Sequence, residues 1–228
     1  MEDVLDLYAE PDDPRYPQVC FDESPVQLTS ETRCPQPARP GQPARYDCEY
    51  KREGTANLFL FVQPLRGWRH VNVTKQRTKR DFAQQMQLLV DAYFPNAERI
   101  RLVVDNLNTH TPAALYSVFP PAEARRITRK LEFHYTPKHG SWLNRAECEF
   151  AVLAGQCLDR RIANLETLRE EIAAWQDLRN QHQTKIQWQF GTDLARVKLK
   201  RLYPPLESSE NSVEPEAPEP VKTCASAH

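Results

Sequence analysis

Residues 100–110, which read IRLVVDNLNTH, decide the fold of this chain. The apolar run at residues 102–104 is short and continuous, which is typical of a strand buried on both faces. Asp105 ends the run, and after a few turn-forming residues the pair Thr111-Pro112 predicts the start of a helix. A carboxylate at the carboxyl end of a buried strand lies where sheet proteins tend to bind ligands and metals. Taken alone, however, Asp105 is more simply explained as a cap for the turn.

Composition predicts a soluble protein that stays in the cytoplasm and does not enter a membrane. No apolar run of the 228 residues approaches the roughly 20 needed to span a bilayer, and the first residues, MEDVLD, are acidic where a signal peptide is basic. The six cysteines are scattered without a Cys-x-x-Cys pair, which is typical of reduced thiols. A zinc site formed by Cys34, Cys48, His134 and His139 is an alternative that no spacing favours.

The net charge of -1 conceals a basic middle between two acidic ends. Residues 14–205 hold 29 bases and 20 acids, a balance of +9. A basic body with clustered Lys and Arg predicts a polyanion partner, although solvated helix faces explain any single cluster as well. Three clusters contribute, and they are Lys75, Arg77, Lys79 and Arg80; Arg125, Arg126, Arg129 and Lys130; and Arg196, Lys198, Lys200 and Arg201.

Hydrophobic periodicity predicts five strands with helices between and after the later ones. The order is strand, strand, strand, helix, strand, helix, strand, helix, which implies a mixed sheet with helices packed on it. Residues 1–17 are expected to be a linker with a short helix, and residues 206–228 a disordered acidic tail. Because residues 35–43 read PQPARPGQP, residues 24–57 are expected to form a long Pro-rich loop. The predicted strands are 18–22, 58–62, 68–73, 100–104 and 131–135, and the longest helix predicted before residue 100 is 79–93.

A second strand is also predicted to end in an acid, at Asp22. In a ribonuclease-H-like arrangement of this order the first and fourth strands are neighbours, which would bring Asp22 and Asp105 together. The helix after the fifth strand carries Glu147 and Glu149 on opposite flanks of its apolar stripe. Helical geometry alone does not choose between these two glutamates.

Several long motifs resemble the catalytic half of bacterial insertion-sequence transposases, in the branch related to the mariner elements. The motifs are VDNLNTH at 104–110, YTPKHGSWLNRAE at 135–147, QCLDRR at 156–161 and FDE at 21–23. The resemblance covers about residues 1–205. It implies a ribonuclease-H-like DDE catalytic domain over residues 18–205, an α/β fold with a mixed five-stranded sheet flanked by helices.

The resemblance also implies a catalytic triad of Asp22, Asp105 and Glu147, which would be the metal ligands. The family pattern Leu-Asn-x-x-Glu falls on Leu143, Asn144 and Glu147, which favours Glu147 over Glu149. Three carboxylates at one point repel each other, and hard oxygen ligands of this kind suit Mg²⁺ or Mn²⁺. Two such ions would support in-line attack on a DNA phosphodiester, so that cleavage and strand transfer become one type of reaction.

DNA is the expected partner, comprising both the transposon ends and the target. The residues proposed to contact DNA are Lys75, Arg77, Lys79, Arg80, His110, Lys138, His139 and Asn144, with Asn106 and Asn108 as further polar groups near the acids. For Asn106, Asn108, His110 and His139, stabilising a turn is an equal alternative. Trp142 is expected to serve packing more than base stacking.

Full-length members of the family that the chain resembles carry helix-turn-helix units ahead of the catalytic domain, and none is expected within this sequence. The sequence therefore suggests either a separate helix-turn-helix product as a partner or a truncated copy, with a homodimer expected on DNA. Alone, the chain is expected to bind DNA weakly, without sequence specificity and with strong salt dependence. Two other functions stay open, a metal-dependent nuclease without strand transfer and a non-catalytic DNA-binding remnant.

Overall fold

A mixed five-stranded sheet forms the centre of the structure. The computed structural model describes residues 1–138 and 140–203, so His139 and the predicted tail at 206–228 lie outside the described residues. The strand order is β3-β2-β1-β4-β5, with β1, β2 and β3 antiparallel and β1, β4 and β5 parallel. The predicted adjacency of the first and fourth strands is confirmed. The strands are β1 (Gln18–Glu31), β2 (Tyr50–Gln63), β3 (Trp68–Thr74), β4 (Ile100–Val104) and β5 (Leu131–Tyr135).

Apolar side chains cover both faces of the sheet. Phe59 and Phe61 of β2 pack in one cluster with residues of the helices within 79–130, whereas Leu58 and Leu60 pack in another with residues of the helices within 2–9 and 145–181. Successive side chains of a strand point to opposite faces, so a strand buried on both sides needs an unbroken apolar run. This explains why β4 and residues 58–62 of β2 read as continuous hydrophobic segments.

Helices flank the sheet where the periodicity predicted them. The predicted helix at 79–93 is confirmed, with Thr78 and Asp81 forming a capping box and a π-helical turn completing its end at Leu89–Tyr93. Within the described ranges no helix is both long and apolar enough to cross a membrane. The helices are α1 (Glu2–Ala9), α2 (Lys79–Leu88), α3 (Pro112–Tyr116), α4 (Pro121–Lys130), α5 (Arg145–Leu153), α6 (Leu165–Gln181) and α7 (Thr192–Lys198).

The predicted loop at 24–57 is wrong in extent, because residues 24–31 and 50–57 belong to the two strands of a long hairpin. β1 continues to Glu31 and β2 begins at Tyr50, which leaves only residues 32–49 between them. The outer half of β2 is exposed, so it lacks the apolar alternation by which a half-buried strand is predicted. A register shift at Leu28/Thr29 lies opposite Gly54, whose φ of +134° is a conformation that glycine adopts readily.

The outer edge of β3 is covered by side chains from α6. Asn180 accepts a hydrogen bond from the backbone N–H of Arg69 and donates one to its carbonyl, both at 2.9 Å. One turn earlier, Gln176 accepts from the N–H of Val71 at 2.8 Å. These amides take the place of a neighbouring strand, which protects an edge that would otherwise invite pairing with another chain.

Candidate active site

The register of the two inner strands β1 and β4 leads to Asp22 and Asp105 at the carboxyl end of β4. The parallel pairing of β1 with β4 runs from Gln18↔Arg101 to Cys20↔Val103. If this register continued by two residues, Asp22 would stand beside Asp105, on the face that α5 covers. Asp22 does not end its strand as predicted, because β1 continues by pairing with β2 alone. It lies instead where β4 stops.

Glu147 lies in the first turn of α5, and its charge acts on Asp22. Burial raises the pKa of the Asp22 carboxyl to about 7, against the hydrogen bond donated by the Glu23 backbone, and the negative charges of Asp105 and Glu147 raise it further. The three acids are therefore close enough for the charges of Asp105 and Glu147 to act on Asp22.

The acids have the chemistry of a hard-cation site but do not form a closed one. Their donor atoms are all carboxylate oxygens, the ligand type that Mg²⁺ and Mn²⁺ prefer. Within residues 1–138 and 140–203, no three His, Cys, Asp or Glu side chains lie close enough to hold an ion as they stand. The zinc alternative gains no support from Cys34, Cys48 and His134, and its fourth member, His139, lies outside the described residues.

His110 is buried beneath the acids. Its Nδ1 contacts an Asp105 carboxylate oxygen, and its Nε2 lies 3.8 Å from an oxygen of Glu23. The imidazole stacks on Phe82 at a centroid distance of 4.9 Å. Burial would lower the pKa of His110, but its contact with Asp105 and the negative charges of Asp105 and Glu23 raise it to about 9. A side chain with no exposed surface does not contact DNA from this position, so the structure places His110 as a support for Asp105.

Asn144 and Lys138, both predicted to contact DNA, have opposite environments. Asn144 is fully buried and donates a hydrogen bond to the carbonyl of Phe21, so it does not face a DNA surface. Lys138 is exposed. It lines a cleft of about 270 Å³ together with Asp105, Asn106, Leu107, Thr136, Pro137 and Ser141. His139, the third member of this group, lies outside the described residues.

The first basic cluster lies beside the acids. Lys75, Arg77, Lys79 and Arg80 are all exposed on the segment from the end of β3 into α2, and Arg77 approaches Glu23 at 3.9 Å. In the second cluster Arg126 is bound by Asp91 at 2.8 Å and by Glu123 at 2.7 Å, so its charge is compensated. The third cluster is in a separate unit that begins at residue 193.

Glu149 is not available to an ion at this site. Its side chain is buried, and its two oxygens accept hydrogen bonds from Arg179 at 2.7 and 3.1 Å. A second arginine, Arg69, pairs with it at 2.8 Å. Sequence reasoning did not predict this ion network. It also did not predict that Glu23 lies near His110, although the position of Glu23 directly after Asp22 was a signal for it.

Trp142 is partly exposed, and its ring packs edge to face against Phe190 at a centroid distance of 5.6 Å. Packing is thus one of its functions, as the sequence suggested. Asn106 and Asn108 are exposed on the loop that follows Asp105.

Comparison with solved structures supports the same fold. The Mos1 mariner paired-end complex with Mn matches with a TM-score of 0.54 and 16% identity, over 79% of this chain and 54% of that chain. The Mos1 strand transfer complex matches with a TM-score of 0.51 and 17% identity, over 75% of this chain and 52% of that chain. The chain thus spans about half the length of the structures it matches, and its ribonuclease-H-like fold is confirmed. No curated protein matches the sequence.

The family is shown by a sequence model that spans the whole sheet. Residues 17–169 match the model described as DDE superfamily endonuclease. The matched range contains all five strands as well as Asp22, Asp105 and Glu147. The chain belongs to the DDE superfamily endonucleases.

Proposed function

We propose that this chain is the catalytic domain of a DNA transposase, in which Asp22, Asp105 and Glu147 hold divalent cations and cleave and join DNA strands. The observation that carries the proposal is the parallel pairing of β1 with β4, whose register leads to Asp22 on one strand and to Asp105 at the end of the other. The charges of Asp105 and Glu147 act on Asp22 there. Carboxylates that repel one another gain most from a cation, because it removes their repulsion. Family membership and the fold it shares with Mos1 transposase support this assignment.

The chemistry follows from the donor set. Bound Mg²⁺ or Mn²⁺, in the expected number of two, would polarise the scissile phosphate and activate the attacking oxygen. The carboxylates of Asp22 and Asp105 would be the central ligands, and Glu147 would complete the set from α5. His110, packed beneath them, would hold the Asp105 carboxylate in place, much as outer partners orient metal ligands elsewhere.

The partners belong to the same proposal. The matched Mos1 structures are a paired-end complex and a strand transfer complex, which supports DNA as partner and strand joining as activity. A homodimer on DNA, a separate helix-turn-helix product and a cytoplasmic location are further parts of the proposal. The second candidate, a nuclease without strand transfer, uses the same acids and differs only in its products.

The direct test is an assay of purified protein on supercoiled plasmid together with labelled DNA ends. We expect nicked products with Mg²⁺ or Mn²⁺ and none with EDTA, and joined products when a free 3'-hydroxyl end is supplied. Nicking without joining would favour the nuclease. DNA binding without metal-dependent cleavage would favour the non-catalytic remnant and overturn the proposal.

DNA binding should depend on salt through the first basic cluster. In Lys79→Gln/Arg80→Gln, two phosphate contacts are removed, so we expect the slope of log K against log salt to become shallower by roughly 2. The measurement is a salt titration of binding to duplex DNA by fluorescence anisotropy. Affinity should fall to a similar extent on unrelated sequences, because phosphate contacts do not read bases.

Arg125→Gln/Arg129→Gln is the matched control. Arg129 lies just before β5, whose first residue pairs with Ile100 at the start of β4. Asp105 follows the far end of β4, roughly 16 Å away for a strand of this length. The control should leave the slope nearly unchanged. If the slope changed as much as in Lys79→Gln/Arg80→Gln, or more, DNA would bind near Arg125 and Arg129 and not near the first basic cluster.

A further inference from the structure

Asn144 is a buried amide that joins the helix carrying Glu147 to the strand carrying Asp22. It has no exposed surface. Its Oδ1 accepts a hydrogen bond from the backbone of Ala146 at 3.2 Å, which caps the start of α5. Its Nδ2 donates to the carbonyl of Phe21 at 2.8 Å. One side chain thus starts the helix and attaches it to β1.

This attachment is close to two of the acids. Phe21 directly precedes Asp22, and Glu147 lies one turn into the helix that Asn144 caps. The N–H of Glu147 donates to the Asn144 carbonyl at 3.1 Å. The connection from Asp22 to Glu147 therefore consists of one peptide unit, one side-chain hydrogen bond and part of the first turn of α5.

The type of residue matters here. Ser, Thr, Asp and Asn all cap helices well, because each offers an oxygen to the first free N–H groups. An asparagine also has an N–H donor on a second atom of the same side chain, whereas ionised Asp has no donor, and Ser and Thr have only the O–H of the capping oxygen itself, which has a shorter reach. A cap alone would not require this amide, whereas the bond to Phe21 does.

We infer that Asn144 is a positioning residue, whose bond to the Phe21 carbonyl sets the separation of Glu147 and Asp22 for a divalent cation. The inference rests on the proposed function, because it assumes that these acids bind the cation. It also accounts for the burial of Asn144, which contradicts a direct DNA contact. The residue does not touch substrate or ion itself and acts through the backbone of the two elements.

Asn144→Ser and Asn144→Thr separate the two roles of the side chain. Both keep a cap oxygen and add no charge, but both lose the amide N–H that reaches the Phe21 carbonyl. The matched controls are Asn164→Ser and Asn164→Thr, because Asn164 caps α6 by accepting from the Thr167 N–H at 2.8 Å. The control replaces the capping asparagine of another helix by the same two residues, and that helix carries none of the three acids.

The primary readout is Mn²⁺ binding to the full chain without DNA, followed by the electron paramagnetic resonance of free Mn²⁺. Loss of a supporting contact around metal ligands typically weakens metal affinity by roughly 10-fold to 100-fold, and we expect a loss in this range for both Asn144 variants. The Asn164 variants should bind Mn²⁺ as wild type does. Urea unfolding in EDTA should show similar small losses of stability at both caps.

The outcomes distinguish this inference from the proposed function. If wild type neither binds Mn²⁺ nor cleaves DNA, the proposed function fails and the inference fails with it. If wild type does both and the Asn144 variants bind Mn²⁺ normally, or no worse than the Asn164 variants, only the inference is overturned. If both Asn144 variants are unfolded while the Asn164 variants fold, Asn144 is a structural residue and the inference is likewise wrong.

Discussion

Asp105→Asn is expected to lower metal-dependent DNA cleavage by roughly a thousandfold, which corresponds to about 4 kcal/mol of lost transition-state stabilisation. The substitution keeps the shape of the side chain and removes the charge that would hold the cation. Asp105 stands at the end of the central parallel strand and contacts His110, so it is the acid with the most support around it. Cleavage of plasmid at saturating Mg²⁺, followed under single-turnover conditions, measures the effect.

Asp159→Asn is the control for this substitution, because Asp159 is an exposed aspartate beyond the end of α5. It should cleave DNA at the wild-type rate. Asp22→Asn and Glu147→Gln should resemble Asp105→Asn. Full activity in all three acid variants would show that the metal lies elsewhere, and full activity in Glu147→Gln alone would remove only that ligand from the proposed set.

The sheet was predictable from the sequence where burial leaves a local pattern. The apolar run at 102–104 identified a strand buried on both faces, and the order of elements placed it beside the first strand. The hairpin beyond Asp22 was not predictable in this way, because its outer part is exposed and carries proline. Pro25 lies within β1 opposite Asn57. Cross-strand pairing there does not depend on a buried face, so the sequence has no hydrophobic periodicity from which the pairing could be predicted.

The candidate site was predictable in its acids but not in the residues around them. Asp22 and Asp105 could be paired once the strands were neighbours, and the choice of Glu147 over Glu149 came from the resemblance alone. The burial of His110 and Asn144 depends on contacts with Phe82 and Phe21, which are distant in sequence. Histidine and asparagine in a loop read equally well as exposed DNA contacts, so only the tertiary structure shows that both face inward.

Glu149 shows most clearly what the sequence could not decide, and its substitution is expected to have the largest effect on stability. Glu149→Ala should lower the free energy of unfolding by about 3–5 kcal/mol, because it leaves two arginines without their shared anion in a buried site. Arg69 has no exposed surface, and its remaining bonds go to the carbonyls of Gly67 and Thr184. Equilibrium urea unfolding in EDTA, monitored by tryptophan fluorescence, measures the change.

Glu147→Ala, two residues away on the same helix, is the matched comparison. Two residues correspond to about 200° around a helix, so the side chains point in nearly opposite directions. Removing Glu147 takes one negative charge away from the neighbourhood of Asp22, so the free energy of unfolding without metal should stay the same or rise slightly. Glu149→Ala should therefore lose stability, and Glu147→Ala should lose metal-dependent cleavage while remaining folded.

If the two results were exchanged, the assignment of the third acid would be wrong. A stable Glu149→Ala protein without cleavage, beside a destabilised Glu147→Ala protein, would mean that α5 presents its other face to the aspartates. The ion pairs of Glu149 argue against this, because rotating Glu149 toward Asp22 would leave the buried charge of Arg69 without its carboxylate. The pair of arginines thus fixes the rotation of α5 about its axis, and this rotation leaves Glu147 on the other side of the helix, where its charge acts on Asp22.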